Sequence, residues 1–433
     1  MEQILAQAKK VAEEAEVFMV SSEETPVHFE ANRLKHIQSK QRGIVALRII
    51  RQGKLGYATT TELDNRKELV NMAVETAQFG VPARFEFPPL TAYPPIEVFD
   101  AGVESVPIEG MIKLGKELIA TIKEHTPDIV CDAEIARVNA SVRIINSRGG
   151  RASYQKSVFG LSIEGSLIHN TDMLFVGDGE TSCHPLTNSN KVAGVVLQQL
   201  ELAKNQATAP SKSVPVVFTP RGVASALITP LMIAFNGKTV LEGASPVGNR
   251  IGEPVFDPGL SLRDDPTIAY RPASCPSDDE GIPSQRTSLI EQGRVIHFLY
   301  DLQTAALAHT RSTGNGSRGG SSLPSPSPSA FVIAPGTTAF DEMVSDIKEG
   351  LVIEQLMGAE QGNILSGDFS GNVLLGYKVE SGRIVGRVKD TMVAGNVYQL
   401  LGQITAIGSD DQWVGSSIKT PSLYFPSLSV ASK

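Results

Sequence analysis

Residues 286–300, RTSLIEQGRVIHFLY, predict two strands that meet at a tight turn. Residues 286–293 form the first strand with its turn, and residues 294–300 form the second. Gln292-Gly293 lies between two runs of strand-forming residues, which is the local signal of a β-hairpin. This stretch therefore predicts a β-rich second half of the chain.

Both flanks of this hairpin are rich in polar residues and glycine. Residues 278–281, DDEG, precede it, and a short helix followed by residues 312–318, STGNGSR, comes after it. Three carboxylates in a turn bounded by glycine are usually solvent-facing, although such a turn could hold a cation. We therefore expect residues 278–280 to lie at the surface.

The glycine-rich loop matches the G-x-G-x-x-G pattern at residues 314–319. A dinucleotide site needs a strand before this pattern and a helix after it. Here a helix precedes it and a serine- and proline-rich stretch, residues 321–329, follows as an extended exposed flap. Two interpretations stay open: a loop that needs positive φ, or a backbone wall against which a ligand lies, with Arg318 available to a carboxylate.

Composition narrows the class of protein. The chain has 433 residues, 41% hydrophobic and 20% charged, which predicts two or three globular domains. Its formal net charge of −8 argues against nucleic-acid binding. We expect no membrane span and no signal peptide, because no apolar run is long enough and Met1-Glu2-Gln3 lacks a basic start. Three scattered cysteines fit a reducing compartment, so the predicted location is the cytoplasm.

The first half alternates between helical and strand-like patterns. Apolar spacing predicts four helices, at residues 2–16, 63–79, from Pro107 onward, and 191–204. The predicted strands form a meander of short antiparallel segments and a later group: 17–20, 27–30, 33–39, 43–50, 55–58, then 132–138, 141–146 and 153–168. Five prolines between residues 82 and 95 make residues 81–107 a stiff, extended connection between these two groups of strands.

The second half begins with a strand at residues 213–218 and a helix start at Thr219-Pro220. We expect this helix to reach about Phe235, with a kink at Pro230. Further strands are predicted at 331–334, 351–355, 373–379 and 383–388, with a helix at 340–349 and a hairpin turn at Ser381-Gly382. The predicted class is α+β: a mixed N-terminal domain, residues 1–212, with a possible internal boundary in 81–107, and a β-rich C-terminal domain, residues 213–433.

No catalytic or metal-binding set emerges from the residues themselves. None of the seven histidines lies four or five residues from another, so the H-E-x-x-H spacing is absent. Residues 160–164, GLSIE, lack the closing glycine of a nucleophile elbow. Cys183 and His184 are adjacent, and neighbours on a strand point to opposite faces. We therefore predict no catalytic residue and no metal ligand in this chain.

A series of short motifs runs through almost the whole chain. They are GIVALR (43–48), ATTT (58–61), PVVF (215–218), SDDEGIP (277–283), LIEQG (289–293) with Tyr300-Asp301, STGNG (312–316), GDFS (367–370) and VAGN (393–396). In this order they resemble the TldD/PmbA family, once called modulators of DNA gyrase and now associated with a two-subunit peptidase.

The resemblance distinguishes two branches of that family. The TldD-like branch carries zinc ligands as H-E-x-x-x-H on the helix after the first C-terminal strand, with a cysteine near the C-terminus. The corresponding residues here, 227–236 (LITPLMIAFN) and 408–416 (GSDDQWVGS), contain no histidine or cysteine. Since aliphatic and proline side chains cannot hold zinc, the chain is similar to the metal-free PmbA, or TldE-like, branch.

The resemblance implies a cytoplasmic, non-catalytic subunit that pairs with a zinc-bearing TldD-like chain to degrade or mature peptides. In isolation it could form a homodimer. We predict that the acidic turn and the glycine-rich loop line the peptide-binding chamber, through Asp279, Glu280, Gly281, Thr313, Gly314, Asn315, Gly316 and Arg318. Two alternatives stay open: an independent peptidase, and a regulatory binding protein acting on a toxin–antitoxin system or DNA gyrase.

Overall fold

The computed structural model describes residues 1–62, 65–170, 172–319 and 322–432. Its helices are α1 Glu2–Ala8, α2 Arg66–Ala77, α3 Ala101–Ser105, α4 Ile108–His125, α5 Asn190–Leu202, α6 Pro220–Ala226, α7 Ile228–Ala234, α8 Gly237–Leu241, α9 Leu302–Leu307, α10 Phe340–Ser345 and α11 Val397–Leu401. Short 3₁₀ helices occupy Ala359–Gln361 and Ile364–Ser366.

The strands fall into two groups along the chain. The first group is β1 Glu14–Glu30, β2 Arg33–Ile37, β3 Lys40–Arg51, β4 Lys54–Thr60, β5 Val130–Asn146, β6 Arg151–His169, β7 Asp172–Ser182 and β8 Gln206–Ala207. The second is β9 Ser213–Phe218, β10 Leu262–Asp264, β11 Thr287–Glu291, β12 Arg294–Val295, β13 Gly316–Ser317, β14 Ser325–Pro326, β15 Phe331–Ile333, β16 Glu349–Met357, β17 Asp368–Glu380, β18 Arg383–Val388, β19 Thr391–Asn396, β20 Ala406–Ile407, β21 Gln412–Val414, β22 Ile418–Thr420 and β23 Leu423–Ser432. The α+β class is confirmed.

The N-terminal sheet is built from long strands. Its order is β4-β3-β1-β5-β6-β7, with β2 paired to β1. The predicted meander of short strands is therefore wrong in length: β1 spans 17 residues and pairs with both β3 and β5. Polar residues that interrupt the apolar pattern in the middle of β1 continue the pairing, because backbone hydrogen bonds do not depend on side-chain polarity. β7, which the sequence analysis did not predict, ends the sheet.

Different helices cover different parts of this sheet. Helices α1 and α2 pack beside β1, β3 and β4 around Leu47, Ile49 and Leu69. The predicted first helix was too long, since α1 ends at Ala8 and Ala15 lies buried in β1. The start predicted for the second helix, Leu63, lies outside the described residues. Helix α4 buries Met111, Leu114, Leu118 and Ile122, as predicted.

The proline-rich segment, residues 81–107, connects two parts of one sheet, since β1 before it pairs with β5 after it. It also packs against the second half: the backbone N–H of Arg84 donates to Gln303 at 3.0 Å, and the Tyr93 hydroxyl donates to the Gly281 carbonyl at 3.0 Å. An internal domain boundary in this segment stays a prediction.

The second half holds an eight-stranded sheet, in the order β16-β9-β23-β19-β17-β18-β8 with β20 paired to β23. It also holds a six-stranded sheet, in the order β12-β11-β10-β15-β22-β21. Both hairpin turns occur where the sequence predicted them. Gln292 and Gly293 have φ of 48° and 76°, the left-handed pair that a two-residue hairpin requires. The second strand of the first hairpin is shorter than predicted, because β12 ends at Val295.

The helix predicted from Pro220 to Phe235 is two helices. α6 ends at Ala226 and α7 begins at Ile228, so the break lies at Leu227, before Pro230. Pro230 occupies the first turn of α7, where a missing N–H costs little. Thr219 caps α6 by accepting the N–H of Gly222, as its position predicted. Helix α10 likewise ends earlier than predicted, because Glu349 begins β16.

Candidate functional site

The acidic turn is buried where the two halves of the chain meet. Glu280 is completely buried, and its Oε1 accepts from Arg48 Nη1 at 2.5 Å. Arg48 Nη2 also donates to Glu16 at 3.1 Å, and Arg318 binds the same glutamate. The expectation of a solvent-facing turn is wrong, because Arg48, which is distant in sequence, supplies the opposite charge that the buried carboxylate of Glu280 requires.

Aromatic rings complete the surroundings of both arginines. The Arg48 guanidinium lies 5.0 Å from the ring centre of Phe85 and 4.9 Å from that of Phe87. The Arg318 guanidinium lies 4.9 Å from the ring centre of Phe18. Burial acts to lower the pKa of Arg48, but Glu16 and Glu280 outweigh it and raise that pKa above its usual value. Arg48 therefore stays charged, and the ion pairs of both arginines bind the two halves together.

Backbone groups hold the remaining acidic side chains of the turn. Asp278 Oδ1 accepts the N–H groups of Glu280 and Ile282, and its Oδ2 accepts that of Gly316, all at 2.9 Å. Asp279 Oδ2 accepts the N–H of Arg318 at 2.9 Å. Burial raises the pKa of both aspartates, most strongly that of Asp278, to which Glu280 also contributes. The two aspartates of the turn thus hydrogen-bond to the backbone of the glycine-rich loop and hold it in place.

The glycine-rich loop is also an interior element. Thr313 exchanges hydrogen bonds with the backbone of Tyr300, and Asn315 Nδ2 donates to Asp264 Oδ2 at 2.6 Å. Gly314 has φ of 74°, so its predicted positive φ is confirmed. The side chains of Thr313, Asn315 and Arg318 are at most 4% exposed. Their contribution to peptide binding stays a prediction, since the contacts seen are all internal.

A cleft lies elsewhere, on the exposed face of β5, β6 and β7. It has a volume of about 910 Å³ and is closed on the far side by α6, β16 and residues 412–415. Gly177 and Gly179 on β7 stand opposite Glu164 and Ser162 on β6, which leaves a flat floor. The sequence analysis missed this cleft, although the short apolar run at residues 173–176, MLFV, was a signal for β7.

A polar cluster lies at the side of the cleft. Arg221 of α6 pairs with Asp178 of β7 at 2.8 Å, and Thr219 donates to Glu354 at 3.2 Å. Burial raises the pKa of both Asp178 and Glu354, against the opposing charge of Arg221. The Tyr377 hydroxyl is buried without a hydrogen-bond partner among the described residues. This cluster can orient a bound polar group by charge and hydrogen bonding.

The described residues contain no group of three or more histidine, cysteine, aspartate or glutamate side chains placed to hold a metal ion. Burial raises the pKa of the Cys131, Cys183 and Cys275 thiols to about 11, which disfavours a reactive thiolate. His184 pairs with Asp100 at 2.7 Å and not with the adjacent thiol. Among the residues that the structure describes, no helix is long and apolar enough to cross a membrane.

Comparisons with known proteins agree with this architecture. The chain is 29% identical to an uncharacterized protein of Methanocaldococcus jannaschii, over 98% of both chains. It is 23% identical to metalloprotease PmbA of Escherichia coli O157:H7, over 96% of this chain and 92% of that protein. The crystal structure of TldE from Thermococcus kodakarensis has the same fold, with a TM-score of 0.90 and 22% identity, covering 100% of this chain and 99% of that one.

Family models match both ends of the chain. Residues 15–77 match the PmbA/TldA metallopeptidase domain 1, and residues 211–432 match the PmbA/TldA metallopeptidase C-terminal domain. The second match alone covers more than half of the 433 residues. The resemblance read from the motifs is confirmed, and the chain belongs to the PmbA/TldD metallopeptidase family.

Proposed function

We propose that this chain is the non-catalytic, PmbA-like subunit of a cytoplasmic TldD-type zinc metallopeptidase, and that its cleft holds an extended peptide. One observation carries the proposal: two separate segments converge on the cleft. Ala224 and Ser225 of α6 line one part of it, and residues 412–415 line another. The family resemblance associates residues 227–236, which follow α6 directly and include α7, and the C-terminal segment 408–416, which contains the cleft-lining residues 412–415, with the metal ligands of the TldD-like branch.

The donors present at these positions do not fit zinc. Helix α7 offers no histidine, cysteine or carboxylate, since its sequence is ITPLMIA. The cleft-lining residues of α6 are Arg221, Ala224 and Ser225. In the C-terminal segment, Asp410 accepts from Ser422 at 2.6 Å and Asp411 pairs with Lys419 at 2.5 Å. A zinc site needs three or four converging nitrogen, sulfur or carboxylate ligands. We therefore assign peptide holding, and no chemical step, to this chain.

The floor of the cleft suits a peptide backbone. Gly177 and Gly179 carry no side chain that would keep another strand away, and β7 ends the sheet order. The side chain of Gln199 in α5 already bonds to the N–H and C=O of Gly177, so an extended peptide would lie across the face of the sheet and not add to this edge. Phe175 and Trp413 supply apolar surface to such a peptide, and Arg221 supplies a cation.

Co-purification with a TldD-like chain from the same genome tests the proposal. We expect a complex that cleaves an unfolded peptide and loses activity to a zinc chelator, whereas this chain alone is inactive. Ala224→Trp fills the cleft and should weaken peptide binding without preventing assembly. Ala120→Trp, on the exposed face of α4, is the matched control. Chelator-resistant cleavage by this chain alone, or equal effects of the two tryptophans, would overturn the proposal.

A further inference from the structure

A second depression lies on the C-terminal domain, on the outer face of β10, β11 and β12. It has a volume of about 550 Å³ and shares no lining residue with the peptide cleft. Three guanidinium groups and two hydroxyls dominate its wall; the residues that matter are Ser261, Arg263, Arg286, Ser288, Arg294 and Ile296. Because the chain has a net charge of −8, three arginines at one depression are unexpected and suggest an anionic ligand.

The strand register places two of these arginines on one face. Arg263 of β10 stands directly opposite Ser288 of β11, and a β-bulge places the extra residue Leu289 in β11. Leu262 is buried in the core, whereas the next residue, Arg263, is only half-buried. Arg286 precedes Ser288 by two residues, so it lies diagonally across from Arg263. Like charges in that relationship repel each other. An anion between them would remove this repulsion.

Most of the hydrogen-bonding capacity of these arginines is unused. Arg286 is exposed and makes no ion pair or hydrogen bond with any described residue. Arg263 uses Nε on Asp265 at 3.3 Å, and Arg294 uses Nη1 on the Gly252 carbonyl at 2.9 Å. The other N–H groups of both guanidiniums are left for a ligand. The Ser288 hydroxyl also has no hydrogen-bond partner among the described residues.

The nearby carboxylates neutralise only part of this charge. Glu291 lines the depression without an ion pair among the described residues, and Asp265 is engaged by Arg263. We infer that this depression is a binding site for a small molecule with two or more oxyanion groups, carboxylate or phosphate. The planar fork of arginine matches both kinds of oxyanion, and the volume lies within the range of small-molecule pockets.

Calorimetric titration of the full chain with inorganic pyrophosphate and, separately, with citrate tests this inference. We expect saturable binding of at least one probe with a Kd below about 1 mM, weakening as salt is added. Binding of only one probe identifies the oxyanion class. Heat from neither probe at about 10 mM would overturn the inference.

Variants locate the site. Arg286→Ala should weaken binding roughly 10-fold or more, and Arg286→Lys, which keeps the charge but loses the fork, should fall between. Arg383→Ala removes the same charge from the exposed hairpin of β17 and β18 and is the control. Each variant is checked for native circular dichroism first. Equal affinity of Arg286→Ala and Arg383→Ala would exclude the assigned site.

Discussion

Arg48 and Glu280 form an ion pair at 2.5 Å, although 232 residues separate them in the chain. Arg48 belongs to β3 of the N-terminal sheet, and Glu280 belongs to the acidic turn of the C-terminal half. Both side chains are at most 2% exposed. This pair, with Glu16 and Arg318, makes the contact between the two halves specific in charge as well as in shape.

Removing one partner of this cluster should be costly. Arg48→Ala leaves Glu16 and Glu280 buried without their shared cation, and we expect the free energy of unfolding to fall by about 3–5 kcal/mol. Urea denaturation measures the loss. Arg42→Ala, at an exposed position of the same strand, should change it by less than about 0.5 kcal/mol. A loss from Arg48→Ala as small as that of the control would show that the pair contributes little.

Gly316 should tolerate no side chain, for a reason of space and not of backbone angle. A Cβ there would come within 2.6 Å of the Glu280 carboxylate. Gly316→Ala should therefore destabilise the fold by about 1–3 kcal/mol and disturb the Arg48–Glu280 pair. At Gly43 a Cβ meets nothing within 4 Å, so Gly43→Ala should be neutral or slightly stabilising. Thermal denaturation of the two variants distinguishes these outcomes.

Asp264 should make stability fall as pH rises. Burial raises the pKa of its carboxyl to about 7, while hydrogen bonds from Asn315 and backbone N–H groups oppose the rise. The folded state then binds a proton that the unfolded state has released, so this contribution is complete below about pH 4 and is lost as pH rises to about 7. The slope is at most about 1.4 kcal/mol per pH unit.

Urea unfolding of the wild type and of Asp264→Asn between these pH values checks this expectation. The variant, which keeps the shape of the side chain and cannot ionise, should flatten the pH dependence. Asp341→Asn, on the exposed start of α10, should leave it unchanged. Parallel pH profiles for the wild type and Asp264→Asn would contradict the prediction.

The three cysteines should be unreactive in the native protein. Their raised pKa leaves almost no thiolate near pH 8, and Cys131 and Cys183 are fully buried. We expect Ellman's reagent to label none of them within minutes in buffer and all three in guanidinium chloride. Rapid native labelling of Cys183 would reopen the interpretation of a reactive thiol beside His184.

The sequence by itself determined features whose causes are local. Gln292-Gly293 produces its hairpin because two adjacent residues adopt positive φ, and Thr219-Pro220 starts a helix because cap and first turn are neighbours. The order of short motifs was enough for the family. Element lengths were less certain: Ala15 fits both a helix and a strand until the sheet pairs around it.

Only the tertiary structure determined that the acidic turn is buried and where the cleft lies. Asp278, Asp279 and Glu280 read as a surface turn, because nothing nearby in sequence could neutralise them. Arg48 neutralises Glu280 only after the chain folds, when the backbone N–H groups of Gly316 and Arg318 also reach Asp278 and Asp279. The cleft likewise joins β7, α6 and residues 412–415, segments far apart in sequence. Burial of charge and convergence of distant strands depend on long-range contacts, which no local pattern contains.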